Sequence, residues 1–473
     1  MNRFSFLSLI LFLSFNAQGS LSELSMEYLK KGSDNESLKM NLDINSLERD
    51  IVYESKAWQL SVSGQKVNSQ LERSSSLLIS NATLQPNDTE TTSYNLTFAK
   101  EFFTGTKLSL SNTLVDYVNN ANIAQNNKGF TQTLSLEQDL WSNFLGRKDS
   151  LDLEVSEKTF DYKKQSVDFQ VESNLYTFVS DYLKAKLDKA NTQLKQEALD
   201  RAKKRLSLIK RRVRDGLSEK VDLYSAETQE LASRESYMSE MISLQSSLES
   251  LSKKVHRRIL SAQILDYKLK EGSEVLSVEG TIEENKNYLQ TQKQIQYLME
   301  SSKKADLGVY PSLVFAASYA TNNYERDDSP ISDGMIGSDN NEVSLGLTLT
   351  WDIGSSAQNL SKQAASIELN KVKMESRKVL LSLKEQETSL LKRQNEVETL
   401  LNSASKRLEL AEKTLKEYNR LYSRGRATLD QVIRAEEELI STQQSYINYL
   451  YLKDSNYSTL AFYRGKLREA ILK

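Results

Sequence analysis

The chain has 473 residues, and its 62 Lys and Arg against 64 Asp and Glu leave a formal net charge of only −2. That balance argues against a nucleic-acid binder. The absence of cysteine excludes disulfides, thiolate chemistry and a lipid anchor on an N-terminal Cys.

Arg3 followed by the apolar run of residues 4–15 and the small-residue site Ala17-Gln18-Gly19 predicts a signal peptide over 1–19. No later apolar run is long enough for a membrane-spanning helix, so entry into a bilayer would have to be as strands. A weak helical period follows through Leu38, Leu42, Ile44, Leu47 and Ile51. Alternation then takes over. Trp58, Leu60 and Val62 share one face, as do Tyr94, Leu96 and Phe98, then Leu108, Leu110 and Leu114, then Leu134, Leu136 and Leu140.

From about Phe160 the period is helical through Leu183, Leu187, Ala190 and Leu194 to Val213, and it returns through Met241, Leu244, Leu248 and Val255 to fade near Lys270. Residues 271–280 break it, and a helix is predicted over 281–306. Alternation resumes with Leu313, Phe315, Ala317 and Tyr319. The clearest strand is Val343, Leu345, Leu347, Leu349 and Trp351. A last helical pair runs from about Gln358, with a heptad seam through Val397, Leu401, Ala404, Leu408, Ala411, Leu415, Tyr418 and Tyr422. The three prolines, Pro86, Pro311 and Pro330, all fall outside the helical stretches.

Each long helical pair turns at a glycine, Gly216 in Asp215-Gly216-Leu217 and Gly425 in Arg424-Gly425-Arg426, and Gly216 is the only glycine between Asp161 and Glu271. A C-cap and an N-cap back to back predict a tight turn between antiparallel helices. An apolar pair follows seven and eight residues after each glycine, Leu223-Tyr224 and Val432-Ile433. An Ala-Glu pair follows at ten and eleven, Ala226-Glu227 and Ala435-Glu436. The repetition implies an internal duplication. Repeat 1 covers 20–272, with barrel strands about 107–140 and its tip at 216. Repeat 2 covers 273–473, with strands about 310–351 and its tip at 425. Sixty-odd helical residues would extend roughly 95 Å, which requires a long bundle or tube.

Little in the chain suggests catalysis. His256, the only histidine, lies in the charged stretch Lys253-Lys-Val-His-Arg-Arg258 and reads as a solvated helical residue without metal or triad partners. No Gly-rich phosphate loop occurs, and the carboxylates are spread among basic residues. The cluster Lys203-Lys-Arg205 with Lys210-Arg-Arg212 reads as a solvated face or a docking surface. The expectation is a protein that is not an enzyme, with no cofactor, no metal and no nucleic-acid partner.

The order helix, strands, long hairpin, occurring twice, resembles the TolC family of outer-membrane efflux and secretion channels. The tip motifs carry the resemblance, with Tyr310-Pro-Ser-Leu-Val-Phe-Ala-Ala-Ser-Tyr319 and Leu345-Gly-Leu-Thr-Leu-Thr-Trp351. It implies a mixed α/β chain, mostly long antiparallel α-helical hairpins. Three copies would form an α-helical tunnel joined to a 12-stranded outer-membrane β-barrel. The four strands each copy gives are expected at about 107–117, 129–140, 310–320 and 342–351, with Tyr319 and Trp351 near membrane interfaces. The Trp58 and Tyr94 pair reads as an extra hairpin near the barrel.

The resemblance further implies an exit duct of a tripartite pump or type I secretion system in the outer membrane, with a periplasmic helical extension. Its partners would be outer-membrane lipid, a periplasmic adaptor (membrane fusion) protein and an inner-membrane pump. Gating and adaptor docking would lie at the tips. Asp222 takes the acidic gate position, and Arg426 is the nearest basic candidate for a latch with it. Asp430, Gln431 and Arg434 stand at or beside positions where the family can carry acidic rings. Asp215, Gly216, Leu217, Arg424 and Gly425 form the docking tip. The alternative is a periplasmic coiled-coil adaptor or structural protein, with a hairpin but no barrel.

Overall fold

The computed structural model describes residues 21–71, 87–119, 126–267, 278–325, 340–353 and 356–472. The expected signal segment and its cleavage site lie outside the described residues. So do most of the expected loops between strands and most of the expected helix break at 271–280.

In chain order the elements are α1 Leu21–Lys31, α2 Ser33–Glu54, β1 Gln59–Leu71, β2 Asn87–Glu101, β3 Thr106–Asn119 and β4 Asn127–Asp139. Then come α3 Arg147–Arg214, α4 Lys220–Val255, α5 Lys286–Leu307, β5 Ser312–Glu325, β6 Asn340–Thr350, α6 Ser356–Ser423, α7 Leu429–Tyr463 and α8 Leu467–Leu472. Helix lengths recur in pairs: 22 residues in α2 and α5, 68 in α3 and α6, 36 in α4 and 35 in α7.

The last helix, expected to run on to the C-terminus, instead ends at Tyr463, and Gly465 takes φ 64° before α8 begins at Leu467. Three other helix boundaries differ from the sequence expectation, each for a local reason. Helix α3 starts at Arg147, well ahead of Phe160, because the Asn143 carboxamide oxygen accepts from the N–H groups of Lys148 (2.9 Å) and Asp149 (3.2 Å). Helix α4 ends at Val255, not near Lys270. His256 adopts φ 55°, and its N–H returns to the Ser252 carbonyl, so the sole histidine is an exposed left-handed cap and not a helical residue. Beyond it the chain is largely irregular, yet it buries Ile259, Ile264 and Tyr267, which extended the apparent period. Helix α5 starts at Lys286, not Thr281. A short 3-10 turn over Ile282–Glu284 precedes it, and Asn285 Oδ1 accepts from the N–H of Asn287 (3.0 Å) and Tyr288 (3.1 Å).

The chain divides into two compact units. The first comprises the described residues of Met1–Leu42, Lys164–Thr291 and Glu375–Lys473, and the second Asp43–Lys163 and Gln292–Met374. Unit 1 is helical. One of its cores joins α1, α3, α4, α7 and α8 through Leu24, Tyr28, Leu175, Phe178, Tyr182, Leu251, Ala461 and Leu467, with the Tyr28 and Phe178 rings stacked 4.6 Å apart. A second joins α3, α6 and α7. There Ala404, Leu408, Ala411 and Leu415 of the expected seam meet Ala190, Leu194, Val432, Ala435 and Leu439.

In the first core the Glu172 carboxylate accepts the Leu467 N–H at the start of α8, at 3.0 Å. Burial pushes its pKa above the ordinary 4.5, against the pull of Lys286 and the backbone donors. A carboxyl whose folded pKa is raised contributes stability that is full below the ordinary value and is lost as pH rises through the raised one. The thermal midpoint of the native protein minus that of Glu172→Gln is therefore expected to fall as pH increases upward from 4.5. A difference independent of pH would contradict the shift.

Unit 2 holds a single antiparallel sheet in the order β1-β2-β3-β4-β5-β6. Strands occur at all four expected places, as β3 to β6. The Trp58 and Tyr94 hairpin is β1-β2, and it is not merely near the others. Its second strand pairs with β3 over an unbroken register from Thr89↔Asn119 to Glu101↔Lys107. Among the described residues, no helix is long and apolar enough to cross a membrane.

Candidate functional site

Unit 1 carries the two hairpin tips, and their backbones are alike. At the first, Gly216 has φ 70°, its N–H bonds to the Val213 carbonyl (3.1 Å), and the Leu217 N–H reaches the Arg212 carbonyl (2.7 Å). At the second, Gly425 has φ 72°, its N–H bonds to Tyr422 (3.0 Å), and the Arg426 N–H reaches Leu421 (2.9 Å). Both are Schellman caps, whose glycine supplies the positive φ that closes the last carbonyls. Helix α7 then restarts on a capping box. Thr428 Oγ1 accepts from the Gln431 N–H at 3.3 Å, and Gln431 Oε1 accepts from the Thr428 N–H at 3.0 Å.

The tips pack on each other through Ile209, Ala226 and Leu429, with Leu206, Val213, Leu223, Tyr422 and Ile433 around them. Arg212 lies over the Tyr422 ring at 5.0 Å. Burial pushes the Tyr422 hydroxyl above its ordinary range, with Arg212 opposing and the Asp222 charge reinforcing. The other gate candidates are occupied locally. Asp222 accepts from the Ser218 hydroxyl at 2.6 Å, and Arg434 pairs with Asp430 at 2.7 Å. Asp215 lies 3.5 Å from Arg214, while Leu217, Arg424 and Arg426 are exposed.

Behind the tips lies a charged group that the sequence reading did not single out. Glu436, only 5% exposed, accepts from Arg201 Nε at 2.7 Å and from Arg205 Nη2. The corresponding glutamate of the first tip, Glu227, pairs with Lys210 at 3.2 Å. So the duplicated glutamate, eleven residues after each glycine, reaches in both copies to the basic stretch of α3. Part of that stretch is therefore a buried ion pair and not a solvated face. A cavity of about 270 Å³ opens beside it, lined by Arg201, Arg205, Tyr422, Val432 and Glu436 among others. No group of three or more His, Cys, Asp or Glu that could hold a metal occurs among the described residues.

Unit 2 offers a different kind of site, a sheet with two unlike faces. Strand registers place Leu60, Phe98, Leu110, Leu134, Tyr319 and Val343 on one rung. Leu108, Leu136, Ala317 and Leu345 form the next rung of the same face. Most of these side chains are exposed, Val343 and Leu345 at 69% each, while Leu108 and Ala317 are half-buried. The band of apolar residues is diagonal. On β6 it runs from Val343 to Leu349, toward the end that precedes Trp351. On β1 and β2 it runs the other way from the same rung, through Val62, Leu96 and Tyr94. The apolar belt is therefore oblique to the strands.

The opposite face is small and hydroxyl-rich. Ser109, Ser135, Ser318 and Ser344 share a rung, and Asn95 Oδ1 accepts from Ser111 (2.9 Å) and Thr113 (3.3 Å). The three tryptophans mark one end of the sheet. Trp58 immediately precedes β1, while Trp141 and Trp351 follow β4 and β6, and all three are exposed. Trp351 thus lies at the end of the sheet, directly after β6. Tyr319 stands on the last apolar rung of β5, next to polar Thr321, Gln132 and Asn341.

No protein-family model matches the chain, and no curated protein sequence does. Solved structures do. The outer membrane protein VceC of Vibrio cholerae superposes with a TM-score of 0.68 at 14% identity, covering 94% of this chain and 96% of that one. The CmeC outer membrane channel of Campylobacter jejuni gives 0.70 at 13% identity, covering 94% and 86%. The MtrE outer membrane channel of Neisseria gonorrhoeae gives 0.66 at 14% identity, covering 94% and 89%. The chain therefore has the fold of the outer-membrane channels its sequence resembles.

Proposed function

We propose that this protein is an outer-membrane duct through which an export machine discharges its cargo passively. One observation carries the reading: a sheet whose strands are long enough to cross a bilayer, with a bare apolar face, a hydroxyl-rich opposite face and aromatic residues at one margin. In water such an apolar face would be a liability. Against lipid it is the expected surface, and the polar face then lines a pore.

The resemblance extends the proposal. Three copies assemble, the hairpins form a periplasmic extension, and a periplasmic adaptor with an inner-membrane pump engages the tips at Asp215, Gly216, Leu217, Arg424 and Gly425. The machine is a tripartite efflux pump or a type I secretion system. Asp222 and Arg426 are the latch pair. The present bond from Ser218 to Asp222 leaves an intersubunit partner for Arg426 to be found on assembly. Asp430, Gln431 and Arg434 flank that constriction, which a 2.7 Å Arg434–Asp430 pair leaves locally neutral.

Planar-bilayer recording of the detergent-purified protein, with its oligomer mass, tests the proposal. Discrete conductance steps from a particle of three chains are expected, with larger or more frequent openings in Arg426→Ala. Unchanged steps in Arg426→Ala would remove the latch but leave the duct. A protein soluble without detergent and silent in bilayers would overturn the duct and favour the periplasmic adaptor.

A further inference from the structure

The sheet of unit 2 has two free edges, β1 and β6, and their chemistry is unusual for edges. Exposed edge strands of soluble proteins are normally kept from pairing by prolines, bulges or several charges. Neither edge here has a proline, and each has one charged residue, Lys66 in β1 and Glu342 in β6. Both registers with their inner neighbours run without a bulge, over Gln59↔Ala99 to Leu71↔Asn87 and Ser312↔Thr350 to Asn322↔Asn340. With 13 and 11 residues, either edge can cross a hydrocarbon core. In lipid an unpaired edge leaves its backbone groups without partners, so both edges must be covered.

We propose that the occupant of each edge is a second copy of this chain, β6 of one copy pairing with β1 of the next. The ring of three then closes as an eighteen-stranded barrel and not a twelve-stranded one. The inference rests on the duct reading above and specifies its membrane part. Its first support is direction. Every neighbouring pair in the six-strand order is antiparallel, so β1 and β6 run oppositely, and head-to-tail joining continues the antiparallel pattern without interruption. Its second support is occupancy. A twelve-stranded closure would pair β6 with β3 of the next copy, but the free side of β3 is already filled by β2 along the whole strand. Its third support is chemistry. Leu60 and Val62 give β1 the same apolar outward face that Val343, Leu345 and Leu347 give β6. Barrel diameter grows nearly linearly with strand number, so the pore in the membrane is wider by a factor of about 1.5 than twelve strands allow.

The chain has no native cysteine, which makes disulfide mapping clean. Because the apolar belt is oblique, the joining strands are offset, and a scan is better than a single pair. Ser344→Cys, on the polar face of β6, is combined in turn with Ser61→Cys, Ser63→Cys and Gln65→Cys of β1. A second series combines it with Ser109→Cys, Ser111→Cys and Thr113→Cys of β3. All these positions lie on the same sheet face. Full-length protein in native outer membrane is oxidised and resolved on non-reducing gels, with Ser344→Cys alone as background. The expected result is a ladder of two and three linked chains from at least one β1 partner and only background from the β3 series. Cross-links from the β3 series would overturn the proposal in favour of twelve strands with β1-β2 displaced. A β1 ladder that ends at two chains, with a two-chain mass, would overturn the count of eighteen. Background in both series with a three-chain mass would show that other elements join the copies. Background in both with a monomer mass would sink the duct reading itself.

Discussion

Glu436→Gln is expected to be among the most damaging single substitutions in unit 1, although it removes no atom from the packing. The native carboxylate is shared by Arg201 and Arg205, whose side chains keep 29% and 11% of their exposure. Arg201 Nη2 and Arg205 Nη1 already lack a protein acceptor. A neutral amide in place of the carboxylate leaves two cations one turn apart on α3, of which Arg201 alone keeps a second carboxylate, that of Glu197 at 3.6 Å. Breaking a buried pair by removing one partner costs about 3–5 kcal/mol. The partial exposure of Arg201 places this case near the lower end. The check is urea or thermal unfolding of the detergent-solubilised protein, followed by helical circular dichroism. Arg205→Met/Glu436→Gln should recover part of the loss, since it removes the more deeply buried cation. A loss below about 1 kcal/mol in Glu436→Gln, the range of exposed pairs, would mean that the group is solvated.

Gly146→Ala is expected to be worse still, and for a reason in the backbone. Gly146 has φ 76°, and a Cβ placed there would lie 1.6 Å from the carbonyl oxygen of Phe103. That oxygen belongs to the turn between β2 and β3, and Gly146 immediately precedes α3, so neither can move without shifting an element. Left-handed strain of about 1–3 kcal/mol adds to overpacking of similar size. The control is Gly216→Ala at the first tip. Its φ of 70° is nearly the same, but no atom lies within 4 Å of the added Cβ. Its cost should be that of conformation alone, about 1–2 kcal/mol. Equal effects from the two substitutions would refute the steric account of Gly146.

Periodicity made much of this architecture legible. A strand with one apolar face must alternate, so Val343, Leu345, Leu347 and Leu349 announced β6. A seam of threes and fours must face another helix, so Leu408 and Leu415 announced the core of α6. Local capping was less visible. Asn143 starts α3 through its own side chain, and His256 ends α4 by taking a backbone conformation that glycine or asparagine would have advertised. Strand pairing was readable only in part, in the hairpin of β1 and β2. Alternation revealed β1 and β2, but only register joins them to β3. The Glu436 group was half visible. The glutamate recurred at the same distance from both glycines, while its arginine partners, more than 200 residues earlier in the chain, looked like ordinary surface charge.

The two tips share one backbone and almost no side chains. Asp-Gly-Leu and Arg-Gly-Arg close the same hydrogen bonds, because the cap asks only that its central residue tolerate a positive φ. The residues on either side are answerable to no internal contact of the cap. They can drift under selection for whatever meets them, at a rate unlike that of the buried alanines ten residues further on. Lineages descended from a common ancestor would then be told apart first at their tips, while the scaffold behind them stayed readable.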